Sequence, residues 1–146
     1  MSRYAYTSSQ GFAGIPGMLP FVGATLLRTN AFQRIAARLT LPALVDSGAT
    51  VNVLPFDIGE RLGFVWDDTH HDPPLVGTIY GAPALGVKLF VKVGDIMPVQ
   101  LAFGWSEIPS TRLPCILGQT NFFDEFYVDF RKPQGYFDIF LKSGAA

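Results

Sequence analysis

Asp46 closes an apolar run in the stretch LPALVDSGATVNVLP, residues 41–55, and stands directly before Ser47 and Gly48. A carboxylate can act as a base when charged and as an acid when neutral, so its surroundings decide its use. Taken as a bare tripeptide, Asp-Ser-Gly is a turn or a cap, because Asp readily bonds backbone N–H groups. The flanks argue for more. Ala43, Leu44 and Val45 read as a buried strand, and Ala49, Val51, Val53 and Leu54 continue the apolar pattern. A carboxylate between them loses hydration and needs a partner or a purpose. Other reactive side chains are less well placed. His70, His71 and Asp72 could begin a metal site, but no third and fourth ligand follow at a recognisable spacing, so no metal and no cofactor is expected. Ser47 has no histidine base in a triad pattern, and GWSEI, residues 104–108, lacks the final glycine of a nucleophile elbow. Asp124, Glu125 and Asp129 read as solvated positions around a short helix and strand.

The elements that must position Asp46 come from a chain of 146 residues, 49% hydrophobic, which can bury one sizeable core and reads as one domain. Charged residues are 16% of the chain, the net charge is −1, and Lys and Arg are scattered, so nucleic acid is not an expected partner. Cys115, the single cysteine, sits in the apolar LPCILG and reads as a buried structural thiol. The segment GFAGIPGMLPFVGATLL, residues 11–27, is apolar, yet Pro16, Pro20 and several glycines argue against a membrane span. It reads as a loop leading into a strand, and a cytoplasmic location is the default expectation, with no membrane partner.

Fifteen glycines and eleven prolines punctuate short runs of Val, Leu, Phe and Ile, the pattern of an all-β domain with many turns. Strands are expected at Phe21–Arg28, Phe32–Leu39, Ala43–Asp46, Gly86–Val93, Met97–Phe103, Cys115–Leu117 and Tyr136–Leu141, with a bend at residues 93–95 around Gly94. Short helices are expected at Phe56–Leu62, ended by Gly63, and at Asn121–Phe126. There is also a weak internal repeat: LPALVDSGAT, residues 41–50, lies over LPCILGQTNF, residues 113–122, with Gly118 where the first copy has Asp46. The domain thus reads as two related halves, only one of which carries the acid.

ALVDSGATVNVLP resembles the active-site motif of the retropepsin-like aspartic proteases, an apolar run followed by Asp-Ser/Thr-Gly-Ala. CILGQTNFFDEF resembles the second signature of that family, two aliphatic residues and a glycine before the C-terminal short helix. The resemblance spans roughly residues 18–141, and residues 1–17 match nothing in it. It implies an all-β, closed barrel-like acid-protease fold with one or two short helices. It also implies an aspartic endopeptidase that works as a homodimer, with Asp46 as one half of a catalytic dyad sharing one proton.

In that scheme Ser47 braces the two active-site loops, Gly48 offers its N–H to the carboxylate, and Ala49 completes the motif. Ile116 and Leu117 pack beneath the dyad, and Gly118 lies beside it. A polypeptide substrate lies extended under a mobile hairpin, PLVGTIYGAPAL at residues 74–85, with Gly77, Ile79, Tyr80 and Gly81 as its flap residues. Serine where threonine is commoner keeps the hydroxyl and loses a packing methyl. The alternative, from another class, is a non-catalytic dimerisation or peptide-binding module that retains the fold.

Overall fold

The computed structural model describes residues 1–9, 17–67, 72–75 and 78–142. In chain order its strands are β1 (Ser2–Ala5), β2 (Thr7–Ser9), β3 (Gly17–Leu19), β4 (Phe21–Thr29), β5 (Ile35–Val45), β6 (Asn52–Leu54), β7 (Ala84–Val93), β8 (Val99–Ser106), β9 (Cys115–Leu117), β10 (Phe126–Arg131) and β11 (Tyr136–Leu141). Helix α1 (Phe56–Arg61) follows β6, and helix α2 (Phe122–Glu125) follows β9. Six strands close a barrel in the order β4-β5-β9-β6-β8-β7, while β1, β11 and β10 form a separate antiparallel sheet and β2 pairs with β3. The all-β expectation with a closed barrel and two short helices is met. No helix among the described residues is long and apolar enough to cross a membrane.

Burial follows the strand period. In β7 the exposed Lys88 and Lys92 alternate with the buried Leu89, Val91 and Val93, so one face of the strand builds the core and the other meets water. The buried runs β6 and β9 behave differently, with every residue buried. They lie between two apolar clusters. Leu54, Cys115 and Leu117 join the main core with Leu26, Leu101 and Phe122, whereas Val53 and Ile116 turn the other way to join Ile79, Ala84 and Leu113. Burial pushes the Cys115 thiol up to about 12, as an enclosed structural cysteine requires. Trp105 lies against α1, where its Nε1–H donates to Phe56 O at 3.0 Å, and a Cβ on Gly59 would come within 2.1 Å of that indole nitrogen.

Several expected boundaries shift for identifiable reasons. The two strands expected at Phe32–Leu39 and Ala43–Asp46 are one strand, β5, because Pro42 does not interrupt it. The Val45 N–H donates to Pro20 O, so by alternation the amides of odd-numbered residues face β4. Position 42 faces away, on the side where pairing with β9 begins only at Ala43, and proline's missing N–H is not needed there. The strand expected at Met97–Phe103 runs instead from Val99 to Ser106, with Met97 exposed before it. Gly94 has φ 55° and Ile96 N–H donates to Val93 O, which makes the expected bend.

The N-terminal residues are not a loop alone. β1 pairs with β11 over Ser2–Ala5 and is fixed there by the Arg3 guanidinium, which donates to both Asp138 oxygens at 2.8 and 3.0 Å and lies over the Tyr136 ring. β3 lies inside the segment read as loop, and β6 and β10 were not among the expected strands. Residues 10–16 lie outside the described residues.

Candidate active site

The two copies of the repeat are neighbours in the barrel. β5 and β9 run parallel with Ala43 opposite Cys115, Leu44 opposite Ile116 and Val45 opposite Leu117, which is the register of the sequence repeat itself. Its next position sets Asp46 beside Gly118, and the Asp46 N–H donates to Leu117 O at 2.9 Å. Ile116 and Leu117 are buried beneath this crossing.

Past Asp46 the chain turns sharply. The Ala49 N–H donates to Asp46 O at 3.1 Å, and the Gly48 N–H donates to Asp46 Oδ1 at 2.9 Å, so the carboxylate is oriented by its own loop. Residues 49–52 then run alongside residues 118–120. Gln119 N–H donates to Ala49 O, Thr120 N–H to Thr50 O and Asn52 N–H to Thr120 O, each at 2.8 or 2.9 Å. Gly118 is required by this approach: a Cβ there would lie 2.4 Å from Val51 O and 2.9 Å from Ala49 O, both backbone atoms.

Asn52 ties the crossing to the barrel wall. Fully buried, it accepts from Gly118 N–H at 2.7 Å and donates to Ala102 O at 2.8 Å. The Ala102 N–H in turn donates to Asn121 Oδ1 at 2.9 Å. Neither asparagine was singled out from sequence, although a lone amide inside the apolar run VNVLP was a signal for a buried, fully satisfied polar group.

The expected burial of Asp46 is not met within one chain. Asp46 is half-buried, and Ser47 and Gly48 are exposed, because the apolar flanks point into the cores while the turn itself projects outward. Within the chain this turn is tied to the second half by Gln119, whose Nε2–H donates to the Ser47 carbonyl at 2.7 Å.

A hairpin faces this loop. Ile79 and Ala82 exchange both backbone hydrogen bonds at 3.0 Å around Tyr80 and Gly81, whose φ values of 51° and 76° make a type I′ turn. Tyr80 projects from the tip, 67% exposed, whereas Ile79 is an anchor buried in the smaller cluster. Between the hairpin and the loop lies a cavity of about 270 Å³, walled by Gly48, Ala49 and Val51 on one side and by Leu75, Ile79 and Tyr80 on the other. The structure therefore brings Gly48 and Ala49 of the expected loop and Ile79 and Tyr80 of the hairpin to one cavity, whose walls do not include Asp46, Ser47 or Gly81. Gly77 lies outside the described residues.

No protein-family profile, curated protein or solved structure matches this chain.

The remaining reactive groups stay apart from the cavity. Ser106 is fully buried and its hydroxyl accepts from Ile108 N–H at 3.0 Å, a turn contact. Asp129 pairs with Arg131 at 3.0 Å on the terminal sheet. Among the described residues no three His, Cys, Asp or Glu side chains gather as a metal site, and His70 and His71 lie outside those residues.

Proposed function

We propose that the chain is one subunit of a homodimeric aspartic endopeptidase of the retropepsin-like type. The observation that carries this reading is the crossing of β5 and β9, which holds Asp46 on a braced turn beside Gly118, with the following residues Gly48 and Ala49 walling a cavity of mixed polarity under a hairpin. A half-buried carboxylate so oriented, on a turn backed by the barrel, has the placement a general base needs.

The chain contains one Asp-Ser-Gly, and the related half offers Gly118 in its place, so the second carboxylate of a dyad comes from a second copy. The charged carboxylate takes a proton from water as the water oxygen attacks the peptide carbonyl carbon. The neutral one gives its proton to the carbonyl oxygen, forming a gem-diol. Collapse breaks the C–N bond as the amine nitrogen takes up a proton, and a carboxylic acid and an amine leave. The substrate lies extended between Asp46 and the turn at Tyr80 and Gly81, with an apolar side chain in the cavity. The terminal sheet supports association: among the described residues β10 is paired on one side only, and Met1, Met97, Tyr127 and Phe140 expose apolar surface around a groove next to it.

A non-catalytic peptide-binding or dimerisation module is the second reading, favoured by the Gly48 N–H on Asp46 Oδ1, which an ordinary Asx turn also makes. Subunit mixing separates the two. Wild-type protein is mixed with Asp46→Asn at constant total concentration, and peptide hydrolysis is followed after subunit exchange. Random pairing in which only doubly acidic dimers work leaves about one quarter of the activity at half wild type. A linear fall to one half, with exchange confirmed, removes the shared dyad, and wild-type protein that binds peptides without cleaving them is the module.

A further inference from the structure

The loop between β8 and β9 carries a cation that no described contact uses. Within it Arg112 N–H and Leu113 N–H both donate to Pro109 O, at 3.0 and 3.1 Å, making a compact turn. The turn is pinned on both sides. Leu113 is buried in the smaller apolar cluster, and Ser110 donates through its N–H and its hydroxyl to the Asp57 carboxylate at 2.6 and 2.5 Å. Arg112 is thus mounted on a fixed backbone while its own side chain is exposed, and among the described residues no carboxylate pairs with it.

Arg112 also borders a recess. A second cavity, of about 300 Å³, is walled by Tyr80, Ile108, Arg112 and Leu113, and it shares Tyr80 with the cavity beside Gly48 and Ala49. The tip of the hairpin therefore stands between two subsites of different chemistry. One has Ala49, Val51, Val53 and Ile79 with Thr50 and Thr78 among its walls and holds no charged side chain. The other is walled by the apolar Ile108 and Leu113 together with Arg112, its one charged residue.

We propose that Arg112 makes the protein selective for polypeptide segments in which an acidic side chain accompanies the apolar one. The proposal rests on the proteolytic reading above and gives it a substrate class. An extended peptide passing the hairpin presents successive side chains to alternate sides, so two residues near each other in sequence can reach the two recesses that Tyr80 separates. A carboxylate arriving at Arg112 meets a planar, always charged donor with several free N–H groups and can be held by two parallel hydrogen bonds. Because Arg112 is exposed, the discrimination is modest and weakens with salt.

The test is a set of peptides around one cleaved sequence, with Glu, Gln or Lys placed in turn at each position flanking the scissile bond. It is run on the wild type, Arg112→Gln, Arg112→Lys and Arg112→Glu. The expected result is a preference for Glu over Gln of roughly fivefold in kcat/KM at one position in the wild type at low salt, the size of an exposed but well-oriented ion pair. Arg112→Gln brings that ratio close to one, Arg112→Lys keeps part of it, and Arg112→Glu turns the preference toward Lys. Cleavage with no charge preference at any position, or a preference that survives Arg112→Gln, overturns the role of Arg112 and leaves the protease reading standing. Failure of the wild type to cleave any peptide overturns both.

Discussion

Replacing Asn52 with alanine tests whether the crossing of the two halves is held by one buried amide. The substitution removes the acceptor of Gly118 N–H and a donor to Ala102 O, bonds of 2.7 and 2.8 Å. A longer bond from Asn52 Nδ2 to Asn121 Oδ1, of 3.3 Å, is lost as well, but that oxygen keeps the Ala102 N–H, so the groups left without a partner are the Gly118 N–H and the Ala102 carbonyl. Gly118 is buried and cannot turn to bulk solvent. A buried backbone group left without a partner costs about 1–3 kcal/mol, and since Ala102 is only half-buried and its carbonyl can turn to water, one such penalty of about 2 kcal/mol is expected. For a chain of this size that corresponds to a fall in Tm of roughly 4–8 °C.

Urea unfolding followed by tryptophan fluorescence measures it directly, since Trp105 is buried in the main core. Protein concentration is kept fixed, because a dimer's apparent stability varies with it. The midpoint should fall with the slope unchanged. A loss below about 1 kcal/mol would mean that water replaces the amide without penalty, and the claim that Asn52 holds the crossing would be withdrawn.

Gly118→Ala addresses the same contact from the other side. With its Cβ 2.4 Å from Val51 O, the loop must move, and the expected result is a loss of about 2 kcal/mol together with a larger relative loss of peptide hydrolysis. An alanine variant as stable and as active as the wild type would show that the close approach is not required. On the terminal sheet, the hydrogen bonds and charge of Arg3 hold the Asp138 carboxyl below the usual carboxylate range. A depressed folded value means stability present above the unfolded pKa of about 4 and lost as pH falls through the folded one. The stability difference between wild type and Asp138→Asn should therefore be constant from about pH 5 to 8 and shrink below about pH 4. A difference that persists unchanged to the acid limit of folding would dissociate it from this ion pair.

Much of the barrel was legible because its signals are local. The period-two burial of β7, the exact limits of β9 and β11, and the helix that Gly63 ends all follow from residues a few places apart. The repeat of residues 41–50 and 113–122 was legible too, and its alignment is the pairing register of β5 with β9. Ala43 and Val45 serve the main core as Cys115 and Leu117 do, although the half-buried Leu44 joins neither cluster while its equivalent Ile116 joins the smaller one, so the alignment and the strand register agree at the positions that face the shared core.

What the chain's order could not reveal is everything decided by where distant groups meet. Whether Pro42 breaks a strand depends on which side its nitrogen faces, and the strand on that side, β9, begins at Cys115, far along the chain. The N-terminal strand pairs with β11 at the other end of the chain, where Arg3 meets Asp138. Asn52 and Gln119 read as ordinary polar residues until the fold sets one against Gly118 and the other against Ser47. The type and order of residues at 43–48 determined that a carboxylate would follow a buried strand. Only the tertiary structure decided that it projects from the barrel half-exposed, with its apolar flanks divided between two cores and a cavity of mixed polarity walled by the next residues of its loop. The physical reason is that a side chain's hydration is set by all the elements packed around it, and sequence spacing reports only those on its own segment.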